Sequence, residues 1–222
     1  MTEVLSSLER TGIKIDPIVL AEIEKEYVNE FKTLGTKLQA MAEEAMGDSP
    51  VNLSSADDRS KLFYSRKVVD KKSWSDIFNL GSELRGHTRK PKQRARYAKK
   101  EFNRLVRENT EILYKTVASR CNFCSGAGRY TPKKKDGTLG KAIRVCKECA
   151  GDGVVYANTQ EIAGFKIIPR DSWDTAAAGF KTDHETLRDR VDELSGDARE
   201  FAELYSRYNA LRTYLSTFVE GL

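Results

Sequence analysis

The sequence predicts a mainly α-helical protein, a long antiparallel helix pair with a small inserted β-ribbon. Three observations carry that expectation. Apolar residues recur at helical spacing near the N-terminus, at Ile23, Tyr27, Phe31, Leu34, Leu38 and Met41. They recur again near the C-terminus, at Phe201, Leu204, Tyr205, Tyr208, Leu211, Leu215 and Phe218. Between these stripes, all four cysteines fall in two copies of one unit, C-x-x-C-x-G-x-G. The 222 residues suffice to bury a core without disulfides. With 32% charged, 39% hydrophobic and 9% aromatic residues the chain is globular though polar, which excludes a fibrous or collagenous protein.

The first long helix starts at Asp16-Pro17, an N-cap residue type followed by the residue best tolerated at the first helical position. Gly47 and Pro50 stop it. From Pro17 to Met46 it would be about 45 Å long at ~1.5 Å per residue, and its stripe is narrow, so it is expected to project. Val51-Asn52-Leu53-Ser54-Ser55 offers two N-cap serines ahead of a short helix through Leu62 and Phe63, with Asp57 and Asp58 suiting the dipole of its first turn. Trp74, Ile77, Phe78 and Leu80 form a small apolar cluster, and the basic run from Arg85 to Arg96 reads as a loop entering a helix near Pro91. That helix would continue through Tyr97, Phe102, Leu105 and Val106, exposing Lys99, Lys100, Arg104 and Arg107. Ile112, Tyr114 and Thr116 alternate as a strand leading to the first cysteine unit. Thr182-Asp183-His184-Glu185 has the form of a capping box with Thr182 as the cap, opening a helix that carries Leu187, Val191 and Leu194 inward. Ser195-Gly196-Asp197 breaks it before the final helix. The expected domains are 1-70 with 176-222 as the helical body, 71-118 as a basic helical insertion and 119-158 as the four-cysteine ribbon.

Charge is unevenly placed. Residues 81–150 hold 19 basic and 6 acidic residues, a net +13, within a chain whose total is +5. A local field of that sign suits a polyanion such as nucleic acid. No run of about 18 apolar residues occurs, and Met1 to Arg10 carries Glu3 and Glu9 in place of a basic and apolar leader, so a soluble, cytoplasmic protein without a membrane partner is expected.

Cys121, Cys124, Cys146 and Cys149 are the candidate metal ligands. Two thiolates separated by two residues can bind one ion, while the glycines that follow let the chain turn back beneath it. Two such knuckles complete a closed four-thiolate site, structural in character, for which zinc is the expected metal. Binding would supply on the order of 10 kcal/mol to a segment with little core of its own. Between the knuckles, Tyr130 to Gly137 reads as a basic strand pair with an Asp-Gly turn, placing Lys133, Lys134 and Lys135 at a tip available to phosphates. The repeated unit resembles the zinc-binding repeats of DnaJ-type chaperones over the stretch Cys121 to Gly153, in two copies instead of four and without a His-Pro-Asp sequence.

The two ends together resemble the thumb subdomain of family A DNA polymerases, the bacterial and phage type. Leu8-Glu9-Arg10-Thr11-Gly12-Ile13-Lys14-Ile15-Asp16 is similar to the family's E-x-x-G-[IV]-x-[IV]-D. Val51-Asn52-Leu53-Ser54-Ser55 with Leu62-Phe63 is similar to F-N-[LI]-x-S…L-F. Thr182 to Leu187 resembles S-T-x-x-x-x-L, and Tyr208-Asn209-Ala210-Leu211 through Ser216-Thr217-Phe218 resembles the motif that ends the thumb. Where that last motif carries an Arg and a Lys, this chain has Asn209 and Thr213, with Arg207 and Arg212 nearby. The resemblance implies a non-catalytic, DNA-binding portion of a replication polymerase that grips primer-template duplex, interrupted by a zinc ribbon. It implies no catalytic residue here, since nothing resembles the palm and fingers; those would be supplied by a separate polypeptide of a split polymerase, or lie elsewhere in a longer protein from which this is an excised piece. A phage-encoded chain would act in the host cytoplasm.

The expected DNA contacts are Asn52, Ser54, Ser55 and Thr182 at helix starts, where free amides favour phosphate. Arg89, Lys90, Lys92, Arg94 and Arg96 follow from the basic run, Lys133, Lys134 and Lys135 from the ribbon, and Arg207 and Arg212 from the last helix. The alternative reading is a stand-alone zinc-ribbon nucleic-acid-binding or adaptor protein.

Overall fold

The computed structural model describes residues 16–135 and 137–219. The family-like stretch from Leu8 to Ile15 and the last three residues therefore lie outside the described residues. Among the described residues there are six α-helices: α1 (Pro17–Met46), α2 (Ala56–Tyr64), α3 (Lys71–Ile77), α4 (Lys99–Asn109), α5 (His184–Arg188) and α6 (Gly196–Tyr214). The strands are β1 (Arg66–Val68), β2 (Ser82–Arg85), β3 (Thr88–Pro91), β4 (Thr110–Ile112), β5 (Tyr114–Arg120), β6 (Arg129–Tyr130), β7 (Arg144–Val145), β8 (Val154–Ile162), β9 (Thr175–Ala176) and β10 (Gly179–Phe180). They form five two-stranded antiparallel sheets, β1 with β4, β2 with β3, β5 with β8, β6 with β7 and β9 with β10.

The expected mainly helical architecture, a long antiparallel helix pair, is thereby overturned. About 44% of the described residues are helical, with about 20% in short strands. The reason lies between the two end helices, where the chain from Arg66 to Phe180 alternates short strands and short helices; of the α1 stripe only Ile23 is exposed, at 41%, while Tyr27, Phe31, Leu34, Leu38 and Met41 are half-buried or buried.

The chain divides into two compact units. One contains the described residues up to Leu38 and those from Leu204 on. In it Phe31 stacks on Tyr208 with ring centroids 4.3 Å apart, and Tyr27 meets Tyr214 at 6.2 Å. Gly35 lies beneath the Tyr208 ring, where a Cβ would stand 3.4 Å from it, an ordinary contact. Beside these rings Arg207 makes a two-pronged ion pair with Glu30, both contacts at 2.7 Å. The Asp16 carboxylate accepts from the Ile18 amide at 2.9 Å, starting α1 as its sequence predicts.

The other unit, Gln39–Glu203, has an aromatic core. Trp74 packs edge-on to Phe78 and Phe180, Phe78 continues to Phe102 and Tyr97, and Phe63 meets Phe165 and Phe201. Ser55 caps α2 by accepting from the Asp58 amide, and Ser65 ends it in the left-handed region at φ 56°. The segment from Ala163 to Ile167 then straps across the α2 end: the Phe165 amide donates to the Leu62 carbonyl and the Ile167 amide to that of Phe63. Gly164 allows this, since a Cβ there would lie 2.3 Å from the Leu62 oxygen.

Two local expectations are corrected. Residues 82–91 form the β2–β3 hairpin, and the helix begins at Lys99, not near Pro91. The intervening residues bond to distant partners in place of a helical ladder: the Ala95 amide donates to the Phe78 carbonyl, the Tyr97 amide to the Ser172 hydroxyl, and the Arg94 guanidinium to the Trp173 and Thr175 carbonyls. The helix after Thr182 is only α5, a five-residue helix capped by Asp183, whose carboxylate accepts from the Thr186 amide at 2.9 Å. Thr182 is buried, and its hydroxyl accepts from Arg59. A 3-10 turn over Val191–Glu193 follows before Gly196, at φ 56°, opens α6.

Candidate metal centre

The long ribbon β5–β8 carries the two cysteine knuckles at its end: Cys121 follows β5 directly, and Gly153 precedes β8. All four sulfurs lie within 4.8 Å of one another, and all four cysteines are buried. The Cys121 and Cys146 sulfurs are 3.8 Å apart, those of Cys124 and Cys149 3.7 Å. A disulfide needs about 2.05 Å, so these thiols are free. A tetrahedron of thiolates at about 2.3 Å from one ion has edges of about 3.8 Å. The four cysteines therefore form a possible metal-binding site.

The backbone that builds it repeats with an offset of 25 residues. The Cys121 amide donates to the Gly153 carbonyl, and the Cys146 amide to that of Gly128. A Cβ on Gly128 would lie 2.1 Å from the Gly151 oxygen, and one on Gly153 2.3 Å from the Gly126 oxygen. Each knuckle is thus pressed against the other in the same way. Ser125 and Ala150 occupy the same left-handed corner, at φ 51° and 52°. Arg120 clamps the first corner by donating to the Ser125 carbonyl, a role with no sequence signal beyond its place before Cys121. Tyr130 packs against the cysteine cluster and meets Phe123 edge-on at 4.8 Å.

Burial resists ionisation of Cys149, yet the Gly151 and Gly153 amides and the neighbouring thiols draw it down to about 7. Cys146, whose burial dominates, is pushed up to about 11. Crowded thiolates repel one another, so ionising the whole set requires a cation among them.

The expected DNA contacts occupy varied settings. Asn52 is exposed, with its side-chain carbonyl accepting from the Ser54 amide; Ser54 is exposed and Ser55 is used as the α2 cap. Arg89 and Lys90 are exposed on β3, and Lys92 is half-buried near Gly81. Arg94 is tied to carbonyls, as described above, while Arg96 lies over the Trp173 ring at 5.0 Å. Lys133, Lys134 and Lys135 are exposed beyond β6, where Lys133 bridges to Leu139 and the Gly137 amide closes a turn on the Lys134 carbonyl; Asp136 lies outside the described residues. Arg207 is paired with Glu30, and Arg212 is exposed. No described helix is long and apolar enough to cross a membrane.

Comparison of the chain with protein-family models, with curated proteins and with solved structures finds no match.

Proposed function

We propose that this chain is a non-catalytic DNA-binding module, the thumb portion of a polymerase of the family A type, and that its cysteine centre holds zinc. The observation that supports this best is the ribbon itself. A closed thiol cluster anchors a hairpin whose exposed side chains include Arg129, Lys133, Lys134, Lys135, Arg144 and Lys147. The likeness of Val51 to Phe63 and of Tyr208 to Phe218 to thumb motifs supplies the duplex and the replication context.

Four sulfur donors and no other ligand suit zinc, and a four-thiolate site leaves no open position for substrate. Cys121, Cys124, Cys146 and Cys149 would hold the ion, which would act as a cross-link. The ribbon cations would then meet sugar-phosphate backbone, giving grip without base readout. A partner polypeptide with palm and fingers would supply the chemistry.

Fluorescence anisotropy with a labelled primer-template duplex tests the grip. The chain is expected to bind at low salt, and the combined Lys133→Ser, Lys134→Ser, Lys135→Ser variant to bind at least about tenfold more weakly at an unchanged melting temperature. An absence of duplex binding, or an unaffected variant, rejects the reading. Primer extension by the complex captured from source cells, with mass identification of its polypeptides, tests the divided polymerase. Elemental analysis of the purified chain tests the metal: one zinc per chain is expected, and iron in its place would refute that assignment.

A further inference from the structure

A cleft of about 450 Å³ opens between the α4 face and the strap that crosses the end of α2. Three cations stand around it, Arg66, Arg107 and Lys166. Other guanidinium groups of this unit are held by protein partners: Arg104 lies between Glu101 and Glu108, Arg170 on Glu193 and Arg199 on Glu203, while Arg94 and Arg120 donate to backbone carbonyls. Among the described residues no carboxylate lies within ion-pair distance of the three cleft cations; Arg66 donates only to the Thr110 hydroxyl, at 3.3 Å.

Lys166 is also fixed in place. Its backbone is left-handed, φ 58°, a conformation costly for a side-chain-bearing residue. Its amide donates to the Ser65 hydroxyl at 2.8 Å, and the amides on either side are bound to α2 carbonyls. The ammonium therefore springs from a rigid base.

The rest of the cleft is aliphatic. Ile112, Ile162 and Ile168 leave 41%, 37% and 76% of their surface uncovered, extending the apolar surface past the cleft. Tyr64 is the only aromatic residue in the lining; its ring is stacked on Phe180 and its hydroxyl donates to the Lys181 carbonyl. A single strand would stack its bases on an open aromatic face, which this lining does not offer, and a duplex backbone would leave the aliphatic floor uncovered. Unpaired positive charge around an aliphatic floor is complementary to a chain that carries both carboxylates and an apolar anchor.

We propose that this cleft docks an acidic peptide segment of a partner protein, with one apolar side chain entering the cleft and flanking carboxylates meeting Arg66, Arg107 and Lys166. None of these cations belongs to the DNA-contacting set, so the proposal stands or falls apart from the polymerase reading. A displayed library of random twelve-residue peptides, panned on the full chain, is the test, followed by anisotropy with the most enriched peptide. Acidic residues flanking Leu, Ile or Phe are expected to dominate. The Arg66→Ser, Arg107→Ser variant should weaken that peptide at least tenfold, Arg107→Lys should retain it within a few-fold, and Ile168→Asp, at an exposed position, should weaken it without unfolding. Peptides with no acidic enrichment, or binding that survives both the double variant and Ile168→Asp, would overturn the proposal. So would loss of oligothymidylate binding in the double variant with peptide binding intact, which would make the cleft a nucleic-acid surface.

Discussion

Tyr64 holds its proton unusually tightly. Burial pushes its phenol up to about 12 from an ordinary value of 10; the nearby Arg190 charge opposes the shift and Asp174 adds to it. An unfolded chain releases that proton first, so the stability tied to Tyr64 is complete below pH 10 and is lost as the pH rises from 10 to about 12. The loss should reach about 3 kcal/mol. Urea midpoints followed across that window should fall more steeply for the wild type than for Tyr64→Phe. Parallel slopes would contradict the burial. The same residue anchors Arg190, which is 6% exposed, donates to the Tyr64 hydroxyl at 3.3 Å and faces Asp174 at 3.5 Å. No motif announces this pair, because its partners are 126 and 16 residues away in sequence.

At the scale of elements, the knuckles were the most legible part of the molecule, because ligand chemistry and spacing are local. The two φ-positive glycine pairs extend the same logic. Gly153→Ala, at φ 75° and against a carbonyl, should strip the centre of metal at chelator concentrations the wild type resists, whereas Ala150→Gly should not. Metal content measured after graded chelation checks both. Full chelation should abolish hydrogen-exchange protection in 121–153 while the helical circular dichroism persists. The course of α1, from its Asp16 start to Gly47 at φ 80°, was legible as well, through a cap and a stop that act within one turn. The start of α4 was not: the Ala95 and Tyr97 amides donate to Phe78 and Ser172 and the Arg94 guanidinium to Trp173 and Thr175, contacts no local period encodes. Strand β1 has no sequence signal for a related reason, being three residues long and joined to β4 only by tertiary pairing, while the strand expected over Ile112, Tyr114 and Thr116 covers the end of β4 and the start of β5. At α5 the neighbouring carboxylate of Asp183 displaced Thr182 from the cap.

Over the whole molecule, the expected fold class is corrected by the strand content of the described residues. Two apolar stripes suggest a helical frame, but among the described residues five two-stranded sheets make a mixed α and β protein. The net +13 of residues 81–150 lies within the Gln39–Glu203 unit, in strands and loops as well as in α4. If that charge neutralises phosphates, affinity for duplex must fall with salt. Each lysine that makes a phosphate contact contributes about 0.9 to the slope of log affinity against log salt, so removing Lys133, Lys134 and Lys135 should flatten it by up to about 2.7. A slope equal in wild type and variant would place the grip elsewhere.

The reciprocal packing of the knuckles has a stoichiometric consequence. Each eight-residue unit supplies two sulfurs, and the hydrogen bond from the Cys121 amide to the Gly153 carbonyl has its counterpart from the Cys146 amide to the Gly128 carbonyl. A half-site that fits its own repeat should also fit a copy of itself. A synthetic peptide spanning 119–130 is therefore expected to assemble in pairs around one ion. Titrated with cobalt, its thiolate absorption should saturate at one metal per two peptides.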